Sequence, residues 1–527
     1  MSVVSPSPRP RLVDHAHVAW LLVLTVLGIV PVLLWILFSP ILCPILRARQ
    51  RRRLLRDAGA PADPPLPDAA TWDGRTVFLV AGEASGDRMA APVVERMRSL
   101  CPGLRVRGYA GPACARAGAE LDRNLIAHAV VGVVAVIRSI GFWWGVCAET
   151  LARLREEPPD VFLTVDFPGL NARLARWARK RGVHTVHLVA PASWAYMPWR
   201  TLRWRLALDR LLATFPFEAV LLEGSGVPSS FVGHPLFEAP LPPPRTPETW
   251  PGDGPCRVEL LPGSRRQEIR AHAPLLLEAA AHVEAALPDA TIDFVLRLAE
   301  EEHRAIFEAA ASTASSRPAR VVFDSGAAPA AAPAAAPADA PADAPAAATG
   351  DRPAARPAAR PVPGGPTGPV DSGGSAGFEG PDGGEGPGGS NGPDAAVGSV
   401  GSDESTGGLP LLGAIASSGT VTAELGADAV PMAIVYRLSP FAAFGAWIGL
   451  ITPFFGLANL IAGRQVVPER IQVGGSGTHV AEDFLAAAGS REAWARTRAA
   501  LVERVRDRIA LPDVAERAAR VVLERRA

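Results

Sequence analysis

From residue 76 onward, the pattern of hydrophobic and polar positions predicts buried strands that alternate with amphipathic helices. The strand-like apolar runs are 76–80, 161–165, 184–189, 257–261, 291–296, 320–323 and 411–416. Between them, helical periodicity covers residues near 170–180, 202–212 and 268–287. Such alternation is typical of βαβ units on a parallel sheet, so we predict an α/β protein with two doubly wound Rossmann-like domains.

The same pattern sets the predicted domain boundaries. Residues 58–73 form a proline-containing linker before the first domain, 74–245, and the second domain comprises 256–324 and 409–475. Residues 476–527 are rich in Arg, Glu and Ala with helical periodicity, which favours helices packed across a domain or dimer interface. A homodimer is compatible with this pattern.

Residues 1–57 contain a long uncharged segment with a basic flank. The run 18–46 has 29 residues without a charge and leads into six arginines between 47 and 56. About 20 apolar residues suffice to cross a bilayer, and flanking arginines favour the cytoplasmic side. We predict an N-terminal transmembrane helix with the remaining domains in the cytoplasm. Pro31, Pro40 and Pro44 leave a dipping or re-entrant helix open, and a buried soluble helix is the alternative.

Two further segments break the strand and helix pattern. Residues 325–408 hold 33 Gly or Pro among 84 residues and few large apolar side chains, so we expect a disordered insertion. Residues 438–463 lack charge but contain Pro440 and Pro453, which disfavours one continuous span. For this second segment we favour a lipid-facing or substrate-facing surface.

Composition narrows the function classes. The 53 basic and 53 acidic residues cancel, which argues against nucleic acid as the main partner. Five scattered cysteines without metal-ligand spacing predict reduced thiols and no metal site. Lys180 is the only lysine, which excludes chemistry that needs a phosphate-loop lysine.

Two turns in the first domain carry candidate chemistry. Gly82-Glu83-Ala84-Ser85-Gly86-Asp87 joins a strand to a helix, and Asp166 with Asn171 follows another strand. Ligands of open parallel sheets bind at the carboxyl ends of strands, so Asp166 is a candidate general base. Helix capping by Ser85, Asp87 or Asp166 is the structural alternative.

Two similar turns in the second domain suit a nucleotide. Gly263, Ser264 and Arg265 follow one strand, and Ser418, Gly419 and Thr420 follow another, with Glu424 one helical turn beyond. Glycines and a guanidinium at such turns suit a diphosphate, and the carboxylate suits ribose hydroxyls.

Together these motifs resemble the lipid-A-disaccharide synthase family. The resemblance is carried by GEASGD (82–87), DFPGLN (166–171), VAPASWAY (189–196), PFE (216–218), FVGHPL (231–236), LPGSRRQEI (261–269), SGTVTAEL (418–425) and NLIAGRQVVPE (459–469). It implies a two-domain GT-B glycosyltransferase that inverts at the anomeric carbon and needs neither a metal nor another cofactor. The implied partners are UDP-2,3-diacylglucosamine and 2,3-diacylglucosamine 1-phosphate (lipid X), at the cytoplasmic leaflet of the inner membrane.

The resemblance also implies residue roles. Asp166 matches the family's proposed general base, Ser193 and Trp194 join the acceptor side, and Asn459 joins the UDP side. The aromatic residues around Trp194 are either core residues or a sugar-stacking wall. Gly169 replaces the second Asp of the family's motif, which keeps a catalytically silent homologue open as an alternative. A GT-B enzyme that acts on another UDP-sugar is the other alternative.

Overall fold

A computed structural model of the chain describes most of the two predicted domains. The described residues are 10–11, 14–15, 18–19, 29–55, 61–126, 140–196, 198–298, 302–318, 320–324 and 408–524. The predicted disordered insertion, 325–408, lies outside them except for Gly408.

Two parallel sheets organise the described residues into a first and a second lobe. The strands of the first lobe are β1 (Thr76–Ala81), β2 (Arg105–Ala110), β3 (Glu120–Asn124), β4 (Val161–Val165), β5 (His184–Leu188), β6 (Arg210–Ala213) and β7 (Ser229–Phe231). Those of the second lobe are β8 (Cys256–Leu261), β9 (Ile292–Arg297), β10 (Val321–Asp324), β11 (Leu411–Ser417), β12 (Met432–Arg437) and β13 (Glu469–Gln472). These sheets confirm the prediction of two α/β lobes.

Helices connect the strands and cover the sheets. They are α1 (Ile29–Leu54), α2 (Ala84–Leu100), α3 (Pro112–Arg116), α4 (Ile140–Glu156), α5 (Pro168–Lys180), α6 (Trp199–Ala207), α7 (Pro216–Glu223), α8 (Arg266–Ala286), α9 (His303–Ala311), α10 (Val421–Ala427), α11 (Pro440–Gly449), α12 (Leu457–Ala462), α13 (Thr478–Ala488), α14 (Arg491–Leu501), α15 (Asp507–Ile509) and α16 (Val514–Val522).

The strand order gives each lobe one topological switch point. The first sheet runs β3-β2-β1-β4-β5-β6-β7 and the second runs β10-β9-β8-β11-β12-β13. The chain therefore reverses its direction of winding between β1 and β4 in the first lobe, and between β8 and β11 in the second. Such a reversal leaves a crevice at the carboxyl ends of the two central strands, where ligands of this architecture bind.

Continuous apolar runs explain why these strands form. Val77 to Ala81 in β1 and all of β4 and β8 are buried, as expected of central strands covered on both faces. The predicted helix over 202–212 was too long, because α6 ends at Ala207 and β6 begins at Arg210. Asp209 separates the two elements, since its carboxylate accepts hydrogen bonds from the Thr185 backbone N–H and hydroxyl.

The C-terminal end of the chain returns to the first lobe. Ala518, Val521 and Val522 of α16 belong to the same buried cluster as Val77 and Leu79 of β1. The Arg517 side chain in this helix donates hydrogen bonds to the carbonyl oxygens of residues 61 and 62. The described part of the predicted linker thus lies against α16.

The predicted transmembrane helix is not supported. Among the helices of the described residues, none combines the length and the apolar character needed to cross a bilayer. The predicted span, 18–46, includes residues 20–28, which lie outside the described part, and α1 continues past its end, through the arginines, to Leu54. The second uncharged stretch, 438–463, forms two short helices, α11 and α12, rather than one span.

Candidate functional site

In the first lobe, the candidate residues lie at the switch point between β1 and β4. Glu83 lies in the turn after β1 and Ser85 in the first turn of α2, and the turn after β4 carries Asp166 and Phe167. The two strands pair in parallel, with Ala81 opposite Val165, so both turns emerge at the same sheet edge. The Ser85 hydroxyl donates to a carboxylate oxygen of Asp166 at 3.4 Å.

The backbone after β4 is unusual. Asp166 and Phe167 both have positive φ, at 50° and 47°, a left-handed conformation that residues other than glycine rarely adopt. The buried Asn171 side chain stabilises this turn, since its amide nitrogen donates to the carbonyls of Val165 (3.2 Å) and Asp166 (2.7 Å). We infer that Asn171 positions Asp166 through the backbone, which differs from its predicted place in the acceptor cleft.

Burial controls the protonation of the two carboxyl groups here. Asp166 is 7% exposed, and burial raises the pKa of its carboxyl group even though the Phe167 backbone and Ser85 donate hydrogen bonds to it. Burial also raises the pKa of Glu83, and the nearby charge of Asp166 adds to that rise. A carboxylate with a raised pKa accepts a proton more readily, which suits a general base.

Aromatic rings pack beside this turn. The Trp143 ring stacks on Phe167 with centroids 5.1 Å apart, and Phe142 meets Trp143 edge-on at 5.3 Å. Gly82 leaves room for Phe167, because a Cβ at Gly82 would lie 2.8 Å from that ring. Sequence reasoning missed this cluster, since Phe142 and Trp143 are about 20 residues before β4 and belong to α4.

Asp87 caps a helix, although not α2, the helix that follows its own strand. Its side chain is 4% exposed and accepts hydrogen bonds from the backbone N–H groups of Gly111, Ala113 and Cys114 at 2.9, 2.9 and 3.1 Å. Burial works to raise its pKa, but these hydrogen bonds and one from the Cys114 thiol hold the pKa below its ordinary value. Asp87 therefore fixes the start of α3 and is not part of the Asp166 group.

Ser193 and Trp194, predicted on the acceptor side, are 4% and 8% exposed. The Thr201 hydroxyl donates to the Ser193 hydroxyl at 3.3 Å, and the Trp194 ring packs edge-on against Phe217. The Trp194 backbone carbonyl accepts a hydrogen bond from the Gln50 side chain at 2.6 Å. Of the two alternatives for Trp194, the structure favours a core aromatic.

In the second lobe, the two candidate turns meet at the switch point between β8 and β11. Gly263 has φ +108°, and a Cβ there would lie 2.5 Å from a Glu268 carboxylate oxygen and 3.1 Å from the Ser417 hydroxyl. Only glycine fits this close approach between the turn after β8 and the end of β11.

His272 stabilises the first of these turns. Its Nδ1 lies 3.0 Å from the Pro262 carbonyl and its Nε2 accepts from the Arg437 backbone N–H at 2.9 Å. Because Nε2 is the acceptor, Nδ1 carries the hydrogen and donates to Pro262. Burial lowers the pKa of His272, which keeps this neutral form.

The remaining nucleotide-side candidates are partly exposed around these turns. Arg265 is 55% exposed and lies 3.6 Å from the Glu268 carboxylate. The Ser418 hydroxyl donates to the Phe455 carbonyl at 2.9 Å. Four other candidates, Ser264, Gly419, Thr420 and Glu424, are intermediate in exposure. A diphosphate bound here would compete with Glu268 for Arg265.

Asn459, predicted on the UDP side, is fully buried. Its amide nitrogen donates to the Val467 carbonyl and to Glu469, while its carbonyl oxygen accepts from the Val466 and Val467 backbone N–H groups. Glu469 in turn accepts from the backbone N–H groups of Phe455 and Gly456. Through Glu469, Asn459 thus holds the segment at Phe455 and Gly456. The Phe455 carbonyl of that segment accepts the hydrogen bond from the Ser418 hydroxyl, so Asn459 contacts the Ser418 turn only indirectly.

Comparison with known proteins gives one consistent family. The family described as lipid-A-disaccharide synthetase matches residues 77–335 and 413–510. The lipid-A-disaccharide synthase of Geobacter sulfurreducens is 30% identical over 457 residues, which cover 85% of this chain and 96% of that protein. The protein of the same name from Alkalilimnicola ehrlichii is 37% identical over 238 residues, covering 44% of this chain and 62% of its own length.

The solved structures that align with this chain share much less sequence identity with it than these relatives do. The glycosyltransferase of kitacinnamycin aligns over 85% of this chain with 13% identity and a TM-score of 0.42. The UDP-GlcNAc 2-epimerase from Neisseria meningitidis, bound to UDP-GlcNAc, aligns over 85% with 11% identity and a TM-score of 0.41.

Proposed function

The chain belongs to the lipid-A-disaccharide synthase family, and we propose that it joins two acylated glucosamine units in lipid A biosynthesis. The donor is UDP-2,3-diacylglucosamine and the acceptor is 2,3-diacylglucosamine 1-phosphate. The products are UDP and a β-1,6-linked tetraacyl disaccharide phosphate.

Asp166 is the general base of this proposal. Its carboxylate takes the proton of the acceptor 6-hydroxyl as that oxygen attacks the anomeric carbon of the donor. The bond between the anomeric carbon and the diphosphate oxygen breaks on the opposite face, so the configuration inverts and UDP leaves with its electron pair. The raised pKa of Asp166 fits this role, because the base must bind the proton that it removes.

The second lobe holds the departing UDP. Arg265 and the two turns at Gly263 and Gly419 offer positive charge and backbone donors to the diphosphate, and Glu424 is placed for ribose hydroxyls. In this proposal no metal ion is needed, because the guanidinium and the turns take the charge that a cation would otherwise neutralise.

One observation carries the proposal. In both lobes, the turns that carry the candidate residues flank the switch point of the sheet, β1 with β4 and β8 with β11. Switch points are where doubly wound sheets bind ligands, and the two lobes supply different chemistry there: carboxylates in the first, glycine turns and an arginine in the second.

Release of UDP from the two purified acyl-sugar substrates tests the reaction. We expect Asp166→Asn to lower kcat by roughly a hundredfold to ten-thousandfold, because general-base catalysis contributes about that much. The Kd for UDP should stay near that of the wild type, since UDP binds in the other lobe. Addition of a chelator should leave the rate unchanged.

Asp160→Asn is the matched control, because Asp160 lies at the opposite end of β4 and accepts a hydrogen bond from the Thr76 backbone N–H. This variant should retain the wild-type rate of transfer. Undiminished transfer by Asp166→Asn would remove Asp166 from its role, and UDP binding without any transfer by the wild type would refute the reaction itself.

A further inference from the structure

Helix α1 has two faces of opposite character. The side chains buried against the body of the protein are those of Trp35, Ser39, Cys43, Gln50 and Leu54. Successive members are four or seven residues apart, and this spacing places them along one side of a helix. One face of α1 is thus held by protein along most of its length.

Directed hydrogen bonds hold that face in place. The Trp35 indole N–H donates to the Ile448 carbonyl at 2.9 Å, and Arg47 Nε donates to the Leu450 carbonyl at 2.9 Å. The Gln50 amide donates to the Trp194 carbonyl at 2.6 Å. From Trp35 to Gln50 the helix extends over about 20 Å, so it lies along the body of the protein rather than projecting from it.

The opposite face of α1 exposes large aliphatic and aromatic side chains. Leu37 and Ile41 are 69% and 68% exposed. Leu34, Phe38, Leu42 and Ile45 are each at least 40% exposed on the same helix. An exposed apolar row of this length in a protein marks a surface that contacts another apolar phase.

Helix α11 extends this apolar surface. It packs beside α1 and has no buried residue, and Phe441, Phe444 and Trp447 are 66%, 55% and 55% exposed. We call the exposed faces of α1 and α11 together the apolar platform.

Arginines border the platform at the C-terminal end of α1. Arg49, Arg51 and Arg52 are exposed, and an open depression beside Ile45 is lined by Ala48, Arg49, Arg52 and Arg53. Rows of aliphatic and aromatic side chains next to exposed arginines match the layered chemistry of a bilayer surface, in which acyl chains lie beneath anionic phosphates.

We propose that the apolar platform docks on the surface of an anionic lipid bilayer, with α1 in the plane of the membrane. The apolar faces of α1 and α11 enter among the acyl chains, and Arg49, Arg51 and Arg52 bind the headgroup phosphates. The contacts at Trp35, Arg47 and Gln50 occupy the other face of α1 and fix its axis along the protein.

Sedimentation of the purified full chain with preformed vesicles tests this proposal. We expect binding to vesicles made of equal parts phosphatidylcholine and phosphatidylglycerol, and binding at least about tenfold weaker to phosphatidylcholine alone. Added salt should weaken the first and leave the second nearly unchanged.

The double variant Leu37→Glu/Ile41→Glu removes two of the most exposed apolar side chains of the platform. We expect it to bind the anionic vesicles roughly a hundredfold less tightly or worse, because each side chain loses its burial in lipid. Leu66→Glu is the matched control, since Leu66 is 66% exposed but lies outside α1 and α11. Arg49→Glu/Arg52→Glu should lose the preference for anionic vesicles, whereas Arg116→Glu/Arg496→Glu, at exposed arginines elsewhere, should keep it.

A fluorescent label distinguishes insertion from loose adsorption. The five native cysteines are unpaired and buried, so a Leu37→Cys variant can be labelled selectively with an environment-sensitive dye. Vesicle binding should shift its emission to the blue, while the same dye on Leu66→Cys should not respond.

Three results would overturn the proposal. One is vesicle binding by Leu37→Glu/Ile41→Glu equal to that of the wild type. Another is the absence of a dye response at residue 37 in vesicle-bound protein. The third is a wild-type dimer that the double variant dissociates, in the absence of any vesicle binding, because that outcome would assign the platform to a second copy of the chain. None of these readouts depends on glycosyl transfer.

Discussion

Glu218 offers a quantitative test of how burial sets protonation in the first lobe. Its side chain is 6% exposed at the start of α7, and one carboxyl oxygen accepts hydrogen bonds from the Thr214 hydroxyl and from the Thr214 and Phe215 backbone N–H groups. Burial raises the pKa of Glu218 from 4.5 to about 7, although these hydrogen bonds oppose the rise. The native protein therefore keeps this carboxyl group protonated at mildly acidic pH.

The sign of the effect on stability follows from the two pKa values. Below pH 4.5 the group is protonated in both states, and its full contribution to stability is present. As pH rises toward 7, the unfolded chain releases the proton and the native protein does not, so the free energy of unfolding falls. At about 1.4 kcal/mol for each pH unit between the two pKa values, the loss reaches roughly 3 kcal/mol by pH 8.

Glu218→Gln removes the titration and keeps an oxygen that can accept the same three hydrogen bonds. The stability of this variant relative to the wild type should therefore rise by about 2.5 kcal/mol between pH 5 and pH 8. Urea unfolding of both proteins at the two pH values measures this change, and all other titrating groups cancel in the comparison.

Glu223→Gln is the matched control, because it makes the same chemical change at the exposed end of α7. It should leave the stability close to that of the wild type at both pH values. If Glu218→Gln is destabilised by the same amount at pH 5 and pH 8, the carboxyl group is ionised in the native protein and the reasoning from burial is wrong.

Three further predictions follow from the site. Because burial raises the pKa of Asp166, kcat/KM for transfer should fall as pH drops through that raised value, and a pH–rate profile will show this acid limb. Gly263→Ala should cost about 1–3 kcal/mol in urea unfolding and weaken UDP binding in calorimetry, whereas Gly254→Ala, whose Cβ meets nothing within 4 Å, should do neither. Asp87→Ala should lower the free energy of unfolding by about 2–4 kcal/mol, because three backbone N–H groups at the start of α3, two of them buried, lose their acceptor; transfer by the folded enzyme should persist.

The central strands could be predicted from the sequence because they are buried on both faces. β4 matches its predicted bounds, and β1 and β8 each extend one residue beyond theirs. β2 and β3 were not predicted, because Arg107 in β2 and Asp122 in β3 interrupt the apolar pattern. These two side chains form a buried ion pair at 2.9 Å, and Arg153 of α4 also pairs with Asp122. The hydrophobic pattern of one short segment cannot show that a charge in it is compensated by a charge far away in the sequence.

The site was predictable to the level of turns but not of individual side chains. Position after a strand marked the turns at Glu83 and Asp166 as candidates, and the structure brings Ser85 and Glu83 next to Asp166. Asp87 and Asn171 lie just beyond the same two turns, in the first turns of α2 and α5, yet their side chains hydrogen-bond to backbone groups in the protein interior. The direction of a polar side chain depends on which backbone donors and acceptors the tertiary structure leaves nearby, and the motif alone does not contain that information.

The proposed docking surface and the proposed base are linked through a short stretch of the first lobe. The Asp166 backbone N–H donates to the Leu188 carbonyl at the end of β5, and the chain then continues to Trp194, whose carbonyl binds Gln50 of α1. The next residues pair with the second uncharged stretch, since the Ile451 N–H donates to the Ala195 carbonyl at 2.8 Å. A bilayer bound by α1 and α11 would therefore contact the two helices that hold this stretch in place. Both proposed substrates carry acyl chains whose transfer into water is costly, so docking of α1 and α11 on a bilayer would bring the lobe that carries Asp166 to the lipid in which those chains reside.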